Sequence, residues 1–117
     1  MKRLLFAAVL TIATLTPGLA SAATENFVVI IGEKNVGHLK ADTQGPRATI
    51  DFDFKNNGRG PALIETMTTE ASGLPAAWTI TGTTTFGSKV NVRFALTGNG
   101  ATWTDPTGTG SATLKEP

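Results

Sequence analysis

The sequence predicts an all-β fold. It reads as an antiparallel meander of about seven or eight short strands, forming a curved sheet or partly open barrel after a cleaved signal peptide. Three observations carry this. Residues 23–117 hold 17 Thr together with Val, Ile, Phe and Trp, residue types whose branched or aromatic side chains suit a pleated surface better than a helix. Two stretches, 48–55 and 90–96, alternate apolar and polar residues with a period of two, which places alternate side chains on opposite faces of a strand. Turn-forming clusters recur every 8–12 residues after position 22, and no segment there shows helical periodicity over a helix's length.

The elements follow in order. Lys2 and Arg3 precede an apolar run from Leu4 to Leu15, Pro17-Gly18 breaks it, and Ala20-Ser21-Ala22 offers the small residues read by a signal peptidase. The run is about twelve residues, short of the ~20 that span a bilayer. Residues 1–22 are therefore expected to be a secretory signal and 23–117 a single β domain, placing the chain in the bacterial periplasm or outside the cell, with no membrane association after cleavage. Phe27 to Ile31 is a short apolar run closed by Gly32, with a turn expected at Glu33-Lys34-Asn35 and a partner strand over Val36 to Ala41. In 48–55, Ile50, Phe52 and Phe54 share one face against Thr49, Asp51, Asp53 and Lys55. Asn57-Gly58 supplies the positive backbone angles of a hairpin turn.

Leu63 to Glu70 is the next strand and Ser72-Gly73 the next turn. Leu74 to Gly82 follows, with Trp78 and Ile80 on one face and Pro75 confined to the strand's start or an edge. Val90, Val92, Phe94 and Leu96 share a face of the next strand, and Trp103 is the apolar element of the one after it. Residues 104–117 read as a loose Thr/Gly-rich tail. The set Ile50, Phe52, Phe54, Trp78, Ile80, Val90, Val92, Phe94 and Trp103 is the expected core. Without a helix to cover it, the sheet must curl on itself or pack on another body.

Composition excludes several classes of function. The chain carries ten Lys and Arg against nine Asp and Glu, and two of the cations lie in the signal segment, so no clustered cationic face is available for nucleic acid or an anionic membrane. There is no Cys, which removes disulfides, thiolate metal sites, a thiol nucleophile and a lipid-modified cysteine. The one His, His38, has no Cys, His or carboxylate at metal-ligand spacing, Asp42 lying about 13 Å along the same strand face. Asp51 and Asp53 are about 7 Å apart on a wet face, a separation found in carboxylate pairs that act on glycosides, and also that of ordinary solvated strand charges. Ser72 and Ser88 lack a nucleophile-elbow context, and no second His completes a triad. No catalytic and no metal-binding residue is assigned.

Binding is the remaining chemistry. Gly58-Arg59-Gly60-Pro61 lets backbone amides and a guanidinium approach an anion; alternatively Arg59 pairs with a sheet carboxylate such as Glu65. Trp78 and Trp103 line a ligand groove or belong to the core.

Three stretches carry a family resemblance: Asn56-Asn57-Gly58-Arg59-Gly60-Pro61, Gly73-Leu74-Pro75-Ala76-Ala77-Trp78-Thr79-Ile80-Thr81-Gly82 and Thr85-Phe86-Gly87-Ser88-Lys89-Val90. In order, over about Phe27 to Ser111, they resemble the region that follows the signal peptide in secreted bacterial amidohydrolases of the imidazolonepropionase-related branch. In that family a β-rich N-terminal region precedes a metal-dependent (β/α)₈ hydrolase barrel. Its apparatus is a His-x-His pair, further histidines, a bridging Lys or Glu and an Asp. None of this can be placed on a chain with one His. The resemblance therefore implies a non-catalytic accessory β domain or fragment, with no cofactor of its own, any divalent metal such as zinc belonging to the barrel. The expected partner is that barrel or another protein surface. One position departs: relatives carry an acidic residue before an Arg-Phe pair, whereas Val92 precedes Arg93-Phe94 here. Asn57, Arg59, Trp78 and Arg93 are the candidate binding residues. Two other readings stand beside this one, a free-standing periplasmic module for a small ligand or peptide, and an assembly protein offering a sheet edge.

Overall fold

Period-two alternation and tight turns leave the backbone little choice but to pair each strand with the next. In the computed structural model, which describes residues 22–115, eight strands do so in sequence order, all antiparallel. They are β1 (Ala23–Ile31), β2 (Lys34–Gln44), β3 (Arg47–Phe54), β4 (Ala62–Thr69), β5 (Pro75–Thr83), β6 (Lys89–Thr97), β7 (Gly100–Asp105) and β8 (Gly108–Thr113). The expected antiparallel meander forms, and it stays open: β1 and β8 are its two edges. The signal segment, residues 1–22, lies outside the described residues but for Ala22.

The turns hold the register. Asn57 (φ 53°) and Gly58 (φ 74°) form the two-residue hairpin read from the sequence, closed by Asn56 N–H to Arg59 C=O at 2.8 Å and Arg59 N–H to Asn56 C=O at 3.1 Å. Positive φ at both central residues matches the right-handed twist of the flanking strands. The first turn differs from expectation. It is Gly32-Glu33, with φ 55° and 65°, so β2 starts at Lys34; a two-residue loop extends the β1–β2 ladder further than a three-residue one would.

The end of the chain is also a correction. Asp105-Pro106-Thr107-Gly108 is a turn rather than the start of a loose tail, and it returns the chain as β8. The Asp105 carboxylate accepts the Thr107 amide at 2.7 Å, the Gly108 amide at 3.1 Å and the Thr107 hydroxyl. An aspartate that hydrogen-bonds the amides just ahead of it builds a turn from its own side chain.

Register decides the faces. Directly opposed residues share a face, and two cross-strand rows are almost wholly apolar. Phe27, Leu39, Phe52, Leu63, Gly82 and Val90 form one; Ala48, Met67, Trp78, Phe94, Trp103 and Gly110 form the other. Between them run Ala41, Ile50, Glu65, Ile80 and Val92. The opposite face carries Asp42, Thr49, Thr66, Thr79, Arg93, Thr104 and Thr109 in a single row. All nine residues expected in a core thus share one face, but they enclose nothing. Leu96 and Ala101 are the only buried apolar residues among those described. A core needs two layers, and the described chain supplies one.

Candidate functional site

The site grows out of that uncovered face. Trp78 on β5, Phe94 on β6 and Trp103 on β7 stand side by side across three strands. With Pro75, Ile80 and Val92 they line an open cleft of about 330 Å³ whose walls are apolar side chains. Gly110, opposite Trp103 on β8, has no side chain, and its vacant Cβ position is filled by the Trp103 indole. The ring therefore lies down across the sheet, and Trp78 and Trp103 keep 36% and 40% of their surface in solvent. Nearer β1 the face continues through Phe52 and Phe54, whose rings are 5.6 Å apart and tilted by 56°, and Phe27, 55% exposed. Glu65 is the charged residue in the middle of this face, between Ile50 and Ile80.

The four candidate binding residues do not converge. Asn57 shapes the β3–β4 turn. Arg59, in the same turn, meets Phe86 of the β5–β6 loop, its guanidinium 5.8 Å from the ring centroid, within cation–π range. It does not reach Glu65, which lies mid-strand; the expected ion pair is replaced by this aromatic contact. Lys55 joins it there, its ammonium donating to the Gly60 carbonyl at 3.1 Å, so both cations border a cleft of about 430 Å³ between the two loops. Trp78 belongs to the apolar face. Arg93 lies on the other face, opposite Thr79 and Thr104, because it is one residue out of phase with Phe94.

The polar face holds contacts that spacing along one strand could not show. His38 finds a carboxylate across the β2–β3 ladder, its Nε2 3.2 Å from Asp51 Oδ1. Asp42, the acid closest in sequence, is instead held by the Thr24 hydroxyl at 2.6 Å and the Lys40 ammonium at 3.1 Å. The antiparallel register was the missing information. Half-exposed pairs of this kind add little stability. Among the described residues, no three His, Asp or Glu side chains are grouped to hold a metal ion, and no helix is long and apolar enough to cross a membrane.

Among the described residues, two carboxyls titrate below the ordinary value of 3.8. The Thr24 hydroxyl, then Lys40, lowers Asp42; the Thr107 hydroxyl and amide lower Asp105. Each therefore favours the folded state when the pH is above 3.8, and that contribution is lost as the pH falls through the lower folded-state value. Stability to urea is expected to fall as pH drops below about 4. Asp105→Asn and Asp42→Asn should each flatten that slope, which a pH series of urea unfolding midpoints measures; slopes unchanged in both variants would contradict it.

Fold and site define an open, single-layer antiparallel meander with one continuous apolar face. Compared with family models, curated proteins and solved structures, the chain matches none.

Proposed function

We propose that the chain is the non-catalytic accessory β domain of an exported metal-dependent amidohydrolase, packing its apolar face against the (β/α)₈ barrel. The observation that carries this reading is the uncovered face from Phe27 to Trp103. Exported proteins do not keep an apolar patch of many side chains in water without a purpose, and a sheet is stable when its apolar face meets another layer. The identity of that layer rests on the resemblance in residues 56–61, 73–82 and 85–90. These segments form the β3–β4 hairpin loop, strand β5 with its entry, and the β5–β6 loop, which are the parts that shape the Trp78 cleft and the Arg59–Phe86 contact. Glu65 adds a requirement. A covering layer must present a cation or hydrogen-bond donor opposite it, because burying a carboxylate unpaired costs several kcal/mol.

A thermal-unfolding titration with the barrel portion of a secreted amidohydrolase of the resembling branch tests this. At a hundredfold excess over Kd, binding stabilises by about 2.7 kcal/mol, or roughly 10–20 °C in Tm for a domain of this size. An unchanged Tm at saturating barrel, from a chain that is monodisperse alone, would reject the reading.

The all-apolar cleft at Trp78, Phe94 and Trp103 favours a second reading, a free-standing module that binds a small apolar ligand or peptide. Tryptophan fluorescence that shifts with such a ligand, but not with the barrel, would select it.

A further inference from the structure

Strand β1 breaks the pattern of the rest of the sheet. Elsewhere the face opposite the apolar one is dominated by Thr and charged residues, with Ile64 of β4 a lone large apolar residue on it, but on β1 it carries two, Val28, opposite His38, and two residues on Ile30. These are 62% and 55% exposed, Val28 being the most exposed of the large apolar residues in any described strand. Phe27 and Val29 occupy the other face, so the segment Phe27 to Ile31 is apolar on both sides. That is the composition of a strand buried within a sheet, not of an edge. Yet β1 is an edge: no described strand pairs with its outer side.

Edges are ordinarily blunted by Lys, Pro or brevity. The nine residues of β1 contain neither Lys nor Pro and one charge, Glu25. The other edge, β8, is six residues of Gly, Thr, Ser and Ala. It offers a partner little apolar surface.

We propose that the outer edge of β1 pairs antiparallel with β1 of a second copy of this chain, about a two-fold axis through Val28. Centred there, residues 25–31 of each copy overlap completely. Phe27 of one copy meets Val29 of the other, and the apolar faces join on the same side of a continuous sheet. On the polar face the two Val28 side chains stand directly opposite each other, and each Ile30 lies opposite Asn26 and diagonal to Val28 of the other copy, so the exposed apolar residues of β1 gather into one patch. The two Glu25 side chains fall at opposite ends of the paired segment, about 20 Å apart, so like charges do not meet. This interface uses the edge rather than the apolar face and does not depend on the accessory-domain reading.

The chain has no cysteine, so Val28→Cys introduces a single thiol on the proposed axis, where directly opposed residues come within disulfide reach. Under mild oxidation the V28C chain is expected to form a covalent dimer at least tenfold faster than the S111C chain, whose thiol sits on the β8 edge. Val28→Lys places two ammonium groups on the axis and is expected to weaken the dimer at least tenfold in sedimentation equilibrium, with the far-ultraviolet circular dichroism of the sheet retained. Ser111→Lys should leave the dimer intact. Equal oxidation rates for V28C and S111C, or a monomer at all concentrations, would overturn the proposal. So would a dimer that survives V28K and disappears when Phe94 and Trp103 are replaced by Thr, since association would then run through the apolar face.

Discussion

Replacing Gly82 by valine unfolds the sheet. Gly82 lies within β5, between Leu63 of β4 and Val90 of β6, with φ at +135°. That backbone angle is strained for any residue with a Cβ, and the space is closed as well: a Cβ here would overlap the Ala62 carbonyl of the neighbouring strand. Relieving the overlap means pulling β4 away from β5, which breaks the ladder in the middle of the sheet. Backbone strain of about 1–3 kcal/mol and overpacking of about 1–3 kcal/mol add to about 2–6 kcal/mol, against a single layer with two buried apolar residues among those described. The expected result is loss of the cooperative urea transition at 25 °C. Gly58→Ala is the control. Its φ is +74° but nothing lies within 4 Å of the added Cβ, so strain alone acts and costs about 1–2 kcal/mol. A G82V chain as stable as the G58A chain would refute the steric account.

The second large effect concerns solution behaviour. At tens of micromolar, above the concentrations at which the β1-paired dimer is read, the chain without its covering layer is expected to assemble further into large species. The triple variant Phe52→Thr, Phe94→Thr, Trp103→Thr should raise the concentration of soluble, non-aggregated chain at least tenfold. The three residues lie on β3, β6 and β7 of one face, so the changes break the patch into separate islands below the few hundred Å² at which exposed apolar surface drives association. Threonine keeps the strand preference; Trp103 is 40% exposed, and Phe52 and Phe94 are only partly covered. The loss of stability per site should therefore stay well under the ~3–5 kcal/mol of an aromatic truncated in a closed core, and retained far-ultraviolet circular dichroism of the triple variant checks that the sheet stays folded. Light scattering after gel filtration reads the outcome. The same triple variant should lose the Tm gain with the barrel. A wild-type chain that is monodisperse at a hundred micromolar would show that the face is not a patch awaiting cover.

The local chemistry of the chain was sufficient for much of this. Alternation at Ile50-Phe52-Phe54 and at Val90-Val92-Phe94 fixed which side chains share a face, because a strand's side-chain period is two whatever surrounds it. Asn57-Gly58 fixed a hairpin, because few residue pairs accept two positive φ angles. Strand β8 was less legible. Gly108, Gly110 and the threonines carry no apolar period of their own, and the strand exists because β7 offers it a ladder and Trp103 needs the space that Gly110 leaves.

Tertiary structure alone decided the rest. Register across β2 and β3 brought Asp51 to His38, a contact between residues thirteen apart that no one-strand spacing contains. The loop geometry turned Arg59 toward Phe86 instead of Glu65, since a turn residue cannot reach a mid-strand carboxylate on the sheet's face. Whether the nine apolar residues made a core was equally beyond local sequence. Periodicity says which residues point the same way, whereas enclosure depends on a second layer, and in the described chain the sheet neither closes nor folds back to provide one.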